Sequence, residues 1–283
     1  MKNLQTCENS LPVRPRKKWD SIEQYIEFLR HFMAYNYAKK FVKGKIVLEI
    51  GCGTGYGAHY LSRFASDIIA IDISRLCVMH CHNKYKKGKL NFLQGSGLSI
   101  PLKDSSIDVA LSFQVIEHIE PREVEDYLLE IKRALTNKGV FVVSTPNKKL
   151  RLLPFQKPWN PEHKKEYNFT EFKKALMNVF ENVKVYGLKG SEEIQSIERN
   201  RVKQNPFEVY VIKLLIFLAK KMLPPIIASH FRKVRRSLRN QMKESRSISN
   251  EITKRIRISD FKVLSYCPKD CLDFYGACQK LQE

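Results

Sequence analysis

Apolar residues recur along this chain in two rhythms. Between Trp19 and Val42, the positions Ile22, Tyr25, Ile26, Phe28, Leu29, Phe32 and Met33 follow helical spacing, which predicts one or two amphipathic helices. From Lys45 the pattern changes. Short apolar runs at Lys45–Ile50, Asp67–Ile71, Leu90–Leu93, Ile107–Phe113 and Gly139–Ser144 alternate with helix-like stretches at Tyr56–Phe64, Ser74–Tyr85 and Pro121–Leu135. The turn Asn137-Lys138-Gly139 announces the fifth run. Strands separated by helices predict a parallel sheet, and right-handed crossovers then cover both of its faces. A further helix is expected over Thr170–Phe180, a sixth strand over Asn182–Tyr186 and a last strand over Cys271–Cys278.

The expected fold is α/β, a Rossmann-like, doubly wound, mostly parallel seven-stranded sheet. It carries an N-terminal helical cap and a basic helical insert before the last strand. Residues 1–18 read as a flexible basic arm, 19–190 as the core with its N-terminal helices, 191–262 as the insert and 263–283 as the last strand.

The first turn of the alternation holds the most specific chemistry. The segment Val47–Gly57 (VLEIGCGTGYG) leaves a predicted strand and enters a predicted helix. Glycines at 51, 53 and 55 let the backbone turn sharply and approach a ligand. They sit where open α/β sheets bind ligands, at the carboxyl end of a strand. The order is G-x-G-x-G rather than the G-x-G-x-x-G of dinucleotide folds, and Tyr56 occupies the place of the third glycine. No Lys-Ser or Lys-Thr pair follows, which excludes a P-loop. Glu49, two residues before the first glycine, suits a cationic cofactor better than a pyrophosphate. Asp72 ends the second strand, where a carboxylate can accept from two ribose hydroxyls.

With VLEIGCGTGYGAHYLS, IIAIDIS, SIPLKDSSIDVALSFQVIEHIEP, RALTNKGVFVVSTPN and NPEHKKEYNFTEF, residues 19–190 resemble the class I S-adenosylmethionine (SAM)-dependent methyltransferase superfamily, in its type 11 or type 23 flavour. The resemblance implies SAM as methyl donor. It places Glu49, Gly51, Gly53 and Gly55, with the intervening Cys52 and Thr54, around the methionine part of SAM. Asp72 would hold the ribose and Ile73 would pack on the adenine. The family's Gly-Asp-Ala after the third strand is Gly95-Ser96-Gly97 here, so Ser96 and Gly97 would make a weaker or backbone-only adenine contact. Phe113 and Gln114 would flank the methyl group.

Gln114-Val115-Ile116-Glu117-His118 follows the fourth run. Small-RNA 2′-O-methyltransferases and ubiquinone-pathway O-methyltransferases use Glu-x-x-Glu-His for a divalent metal, and His163 would complete such a site here. Gln114 stands where the first Glu belongs and is a poor ligand, so no metal is expected. His118 is then a candidate general base for a substrate hydroxyl, or a packing residue at the rim. Methyl transfer asks mainly for in-line alignment, so a strong catalytic residue need not exist. Asn147, Asn160, His163 and Glu166 follow the fifth strand and are candidate acceptor contacts, or else turn and capping residues.

Composition adds the question of partners. The chain has 283 residues, 43% of them hydrophobic, enough to bury a sizeable core. Its formal net charge is +21, which favours contact with polyanions. Residues 199–246 carry thirteen Lys or Arg against Glu208 and Glu244, around an apolar stretch at Phe207–Leu223. Such a segment resembles an interfacial membrane anchor. It could equally be a lid over the acceptor site or bind RNA phosphates, although Arg232–Arg246 has no aromatic residue for base stacking. No run reaches the length of a membrane span, and Met1–Asn9 has no apolar core of a signal peptide. The seven cysteines show neither a disulfide framework nor C-x-x-C zinc spacing, which favours reduced thiols in the cytoplasm.

The function expected is transfer of a methyl group from SAM to an O or N atom of a small-molecule or lipid-linked acceptor, a glycan precursor among the candidates, in the cytoplasm or peripherally on a membrane. An RNA methyltransferase and a non-catalytic SAM-binding protein are the alternatives. Composition and spacing leave the oligomeric state open.

Overall fold

The computed structural model describes residues 15, 19, 21–85, 88–152, 158, 160–206, 255–267 and 269–280, and side chains at all of these except 202–206. The expected basic arm, the Phe207–Leu223 stretch and most of the 199–246 basic segment lie outside the described residues.

The N-terminal pattern forms one helix, α1 (Ile22–Val42), capped by the Ser21 side chain accepting from the Gln24 amide. The alternation follows as β1 (Ile46–Ile50), α2 (Tyr56–Leu61), β2 (Asp67–Asp72), α3 (Arg75–Lys84), β3 (Leu90–Gln94), β4 (Ile107–Phe113), α4 (Val124–Ala134) and β5 (Leu135–Pro146). Then come α5 (Lys148–Arg151), α6 (Phe169–Met177), β6 (Asn182–Gly190), α7 (Glu192–Pro206), β7 (Phe261–Leu264) and β8 (Asp273–Gln279). The sheet order is β3-β2-β1-β4-β5-β8-β6-β7. Neighbours from β3 to β5 pair in parallel, and β8 runs antiparallel between β5 and β6.

The sheet has eight strands, one more than expected. The addition is β7, which pairs antiparallel with β6 at the edge and straddles the expected boundary between the helical insert and the last strand. Phe261-Lys262-Val263-Leu264 is too short to show a period of two, so only pairing with β6 makes it a strand. Phe261 and Ile256 join the core, so that core resumes earlier in the chain than residue 263. The expected turn at Asn137–Gly139 is an irregularity inside β5: Lys138 has φ 66, and pairing with β4 jumps from Leu135 to Val140.

Alternate residues of the central strands feed two apolar clusters. Val47, Ile68, Val109 and Val142 pack with α1, α2 and α3, while Leu48, Ile71, Ala110 and Phe141 pack with α4 and α6. That alternation places helices on both faces, as the strand period requires. On the first face, Arg30 of α1 is buried. It donates to both carboxylate oxygens of Asp273 on β8 at 2.9 and 2.6 Å, to Glu198 of α7 at 3.2 Å and to the Leu272 carbonyl at 3.1 Å. This network clamps α1 and α7 to the sheet.

Among the described residues no helix is long and apolar enough to cross a membrane. Cys52, Cys81, Cys267, Cys271 and Cys278 carry free thiols. Cys77 is disulfide-bonded, which corrects the expectation of reduced thiols throughout.

Candidate functional site

The expected cofactor residues gather at the carboxyl ends of β1, β2, β3 and β4, where the sheet leaves a crevice. Gly51, Gly53 and Gly55 have φ of 72, 53 and 70, the left-handed region that favours glycine. A Cβ at Gly51 would lie 2.6 Å from the Val115 side chain, and one at Gly55 would strike Cys81 and Phe92. The Gly51 and Cys52 amides donate to the Ile71 carbonyl, which ties the loop to β2.

Asp72 organises the same loop. One carboxylate oxygen accepts from the Gly53 amide and the other from the Ser74 amide, each at 2.8 Å. Each oxygen keeps a lone pair for a further donor. Beside it Ile73, just past the carboxyl end of β2, is 75% exposed, an unusual setting for a large aliphatic side chain and a suitable face for a flat ring. Ser96 spends its hydroxyl oxygen on the Leu98 amide at 3.1 Å. Gly97 packs against Tyr127, leaving no room for a side chain.

Glu49 is buried. Its Oε1 accepts from the Tyr35 hydroxyl at 2.6 Å, and its Oε2 has no hydrogen-bond partner among the described residues. Burial pushes its pKa up to about 7, against the lowering effect of the Tyr35 bond. The Thr54 hydroxyl is buried and lacks a partner too. A buried carboxylate oxygen and a buried hydroxyl at a loop with glycine at every second position are unmet acceptor capacity. That donor set fits a ligand with an ammonium, and Asp72 fits one with vicinal hydroxyls; the residues fit SAM.

At the end of β4, Phe113 is buried with its ring edge-on to Tyr35, 5.0 Å between centroids. Gln114 adopts φ 57, a strained conformation for a residue with a side chain. Its amide donates to the Ser144 carbonyl at 3.0 Å.

The next residues meet the loop after β5. Glu117 is fully buried; one carboxylate oxygen accepts from Thr145 at 3.0 Å and the other has no partner among the described residues. Burial raises its pKa to about 8. Its carbonyl accepts from the Lys164 and Lys165 amides, fastening residues 160–168 over the crevice. The rings of His118 and His163 meet edge to face, 4.7 Å between centroids. Burial, then His163, lowers the His118 pKa. His163 Nδ1 bonds Glu166 Oε1 at 2.9 Å. One ligand atom from each of Glu117, His118 and His163 lies within 4.8 Å of the others, so the three residues are brought together although 45 positions separate His118 from His163.

Asn147 is not free to contact an acceptor. It is buried, its amide group donates to the Cys271 carbonyl at 2.8 Å, and its side-chain oxygen caps α5 through the Lys149 amide. Asn160 closes a turn by accepting from the Glu162 amide at 3.0 Å. Sequence reasoning passed over Tyr35, His31 and Thr145. Tyr35 and His31 sit on the buried face of α1, where an aromatic reads as core.

Residues 48–143 match the type 11 methyltransferase domain. A protein of Mycobacterium tuberculosis described as a probable S-adenosylmethionine-dependent methyltransferase is 34% identical over 168 residues, 59% of this chain and 60% of that one. A fatty-acid O-methyltransferase of Mycolicibacterium smegmatis is 32% identical over 130 residues, 45% of this chain and 46% of its own length. Among solved structures, that of the [4+2]-cyclase SpnF aligns over 100% of this chain and 94% of its own with a TM-score of 0.56 at 15% identity, a likeness of fold alone. The chain is thus similar to SAM-dependent methyltransferases over residues 48–143 and, against the M. tuberculosis protein, over 59% of its length. It spans about 60% of the length of the mycobacterial relative.

Proposed function

We propose that this protein transfers the methyl group of SAM to an oxygen or nitrogen of a small or lipid-linked acceptor. The observation that carries the reading is the G-x-G-x-G loop, with Glu49 Oε2 and the Thr54 hydroxyl buried and unpartnered beside it. When bound, SAM supplies a methyl already activated on a sulfonium. The chain then has to bind, orient and exclude water. Glu49 Oε2 takes the ammonium, Asp72 accepts from the ribose hydroxyls, and Ile73 covers the adenine. The strained Gln114 backbone and Phe113 shape the wall beside the transferring methyl. Glu166, bonded to His163 Nδ1, orients the His163 ring beside His118. His118, whose burial favours the neutral imidazole, is then the group to take a proton from an acceptor hydroxyl. A lipid-linked acceptor draws support from the M. smegmatis fatty-acid O-methyltransferase and from the basic sequence of 199–246 with its apolar stretch at Phe207–Leu223, which would attach the protein peripherally to an anionic membrane.

The test has two stages. Calorimetry should detect SAM binding, weakened roughly tenfold or more in Asp72→Ala by loss of charged hydrogen bonds and of loop order. Labelled SAM is then offered with lipid, glycan and RNA fractions. Label in RNA alone would replace the lipid reading, and binding without transfer to any fraction would leave a non-catalytic SAM-binding protein.

The assembled Glu117, His118 and His163 support a second reading for the same site. One carboxylate and two imidazoles make a sensible divalent-cation set, although Gln114 contributes no charge. Transfer unaffected by EDTA keeps His118 as the proton acceptor. Transfer abolished by EDTA and restored by Mg²⁺ or Mn²⁺ makes the trio ligands.

A further inference from the structure

The family match begins at residue 48, yet a side chain that hydrogen-bonds Glu49 comes from before it. Tyr35 is buried on α1, with only 2% of its surface exposed. Its ring lies across Gly57 at the start of α2, so closely that a Cβ there would overlap it. It meets Phe113 at the end of β4 nearly at right angles, and Tyr56 and His31 flank it at 5.4 and 5.5 Å between centroids. His31 in turn bonds the Tyr56 hydroxyl. A ring packed on four sides has one hydroxyl direction left, and that hydroxyl donates to Glu49 Oε1 at 2.6 Å.

We propose that Tyr35 is a positioning residue of the cofactor site: it fixes the Glu49 carboxylate through Oε1 and leaves the second oxygen for the ligand, and it makes SAM binding dependent on the protonation of Glu49. The inference rests on the SAM reading given above. Glu49 sits among weak or like-charged groups. From α1 it faces Tyr35, from α2 Tyr56, from β2 Asp72 and from the loop Cys52. Among the described residues no cation is counted among the groups that act on it. Burial and Asp72 therefore favour the neutral acid, while the Tyr35 hydroxyl and, to a smaller extent, the Ala58 backbone amide of α2 favour the carboxylate. A protonated Glu49 would offer an ammonium far less. Without Tyr35 the carboxyl would take up its proton at higher pH and lose its fixed orientation.

The experiment compares wild type with Tyr35→Phe by calorimetric titration of SAM from pH 6 to 8.5. Phenylalanine keeps the ring on Gly57 and Phe113, and thermal melting checks that the variant folds. The readout is the ratio of the two affinities at each pH, in which titration of the ligand's own amino group cancels. The ratio should be largest at low pH, about tenfold for a lost bond to a charged group, and should shrink towards one as pH rises. In a Glu49→Gln background the Tyr35→Phe change should have no further effect, because coupling vanishes once the shared partner is gone. If wild type fails to bind SAM, the cofactor reading itself falls. If wild type binds and the ratio is one, or is the same at every pH, the SAM reading stands and Tyr35 is a packing residue only.

Discussion

Glu49 shows how a residue proposed to bind a ligand can weigh against the fold that holds it. Its pKa in the folded chain is about 7 against an ordinary 4.5, so the folded state holds its proton more tightly than the unfolded chain does. The associated stability is fully present below pH 4.5 and is lost as pH rises through about 7, some 3 kcal/mol across that window. Glu49→Gln, which never ionises, should therefore raise the melting temperature of the ligand-free protein at pH 7.5 by several degrees while SAM affinity drops. An unchanged or lower melting temperature together with the expected loss of affinity would contradict the desolvation argument. The acid itself was legible in the sequence, two residues ahead of the first glycine. Its partner Tyr35 was not, because a tyrosine on the apolar stripe of a helix has no local mark that its hydroxyl meets a carboxylate. Asn147 shows the converse: its position after β5 suggested an acceptor contact, and only the approach of the Cys271 carbonyl shows that its amide is spent.

At the scale of elements, the helix α1 is the part whose role changes most between sequence and structure. As a pattern it is a cap. In the fold it brings Tyr35 to the cofactor loop and Arg30 to β8. Arg30, Asp273 and Glu198 are all nearly excluded from solvent, and removal of one partner from such a group strands an uncompensated charge. Asp273→Asn should destabilise the protein by about 3 kcal/mol or more, read as a lower urea midpoint with an unchanged slope. Combining it with Arg30→Met should recover part of the loss, since the stranded cation is then gone. A double variant no more stable than Asp273→Asn would show that the network contributes packing rather than charge pairing. Residues 30 and 273 are 243 positions apart, and each reads alone as a surface charge, so nothing local could have paired them.

On the scale of the whole molecule, charge dominates. A net +21 raises the local concentration of any anionic surface partner, and each Lys or Arg near an anionic membrane contributes about 1 kcal/mol. Co-sedimentation with liposomes should rise with the fraction of anionic lipid, fall with salt and vanish when residues 207–246 are deleted. If the protein ignores liposomes and instead shifts RNA with steep salt dependence, the acceptor is to be sought in RNA. If it binds neither, the segment acts as a lid, and its deletion should abolish transfer while leaving SAM affinity intact.

What the sequence determined by itself is what local periodicity and local backbone geometry encode. The run from β1 to β5, the helices between them and the loop Glu49–Gly55 were readable because strand and helix periods, turn glycines and a flanking acid all act over a few residues. Even Asp72 was legible from its place at the end of a strand. The tertiary structure decided everything that depends on chain segments meeting. It made a strand of Phe261–Leu264 by giving it β6 as a partner. It turned Asn147 inward and Ile73 outward. It gathered Glu117 and His118 with His163, and it set Tyr35 against Glu49. These contacts join distant positions, and their energy lies in buried polar pairs whose cost and gain exist only once water has been excluded.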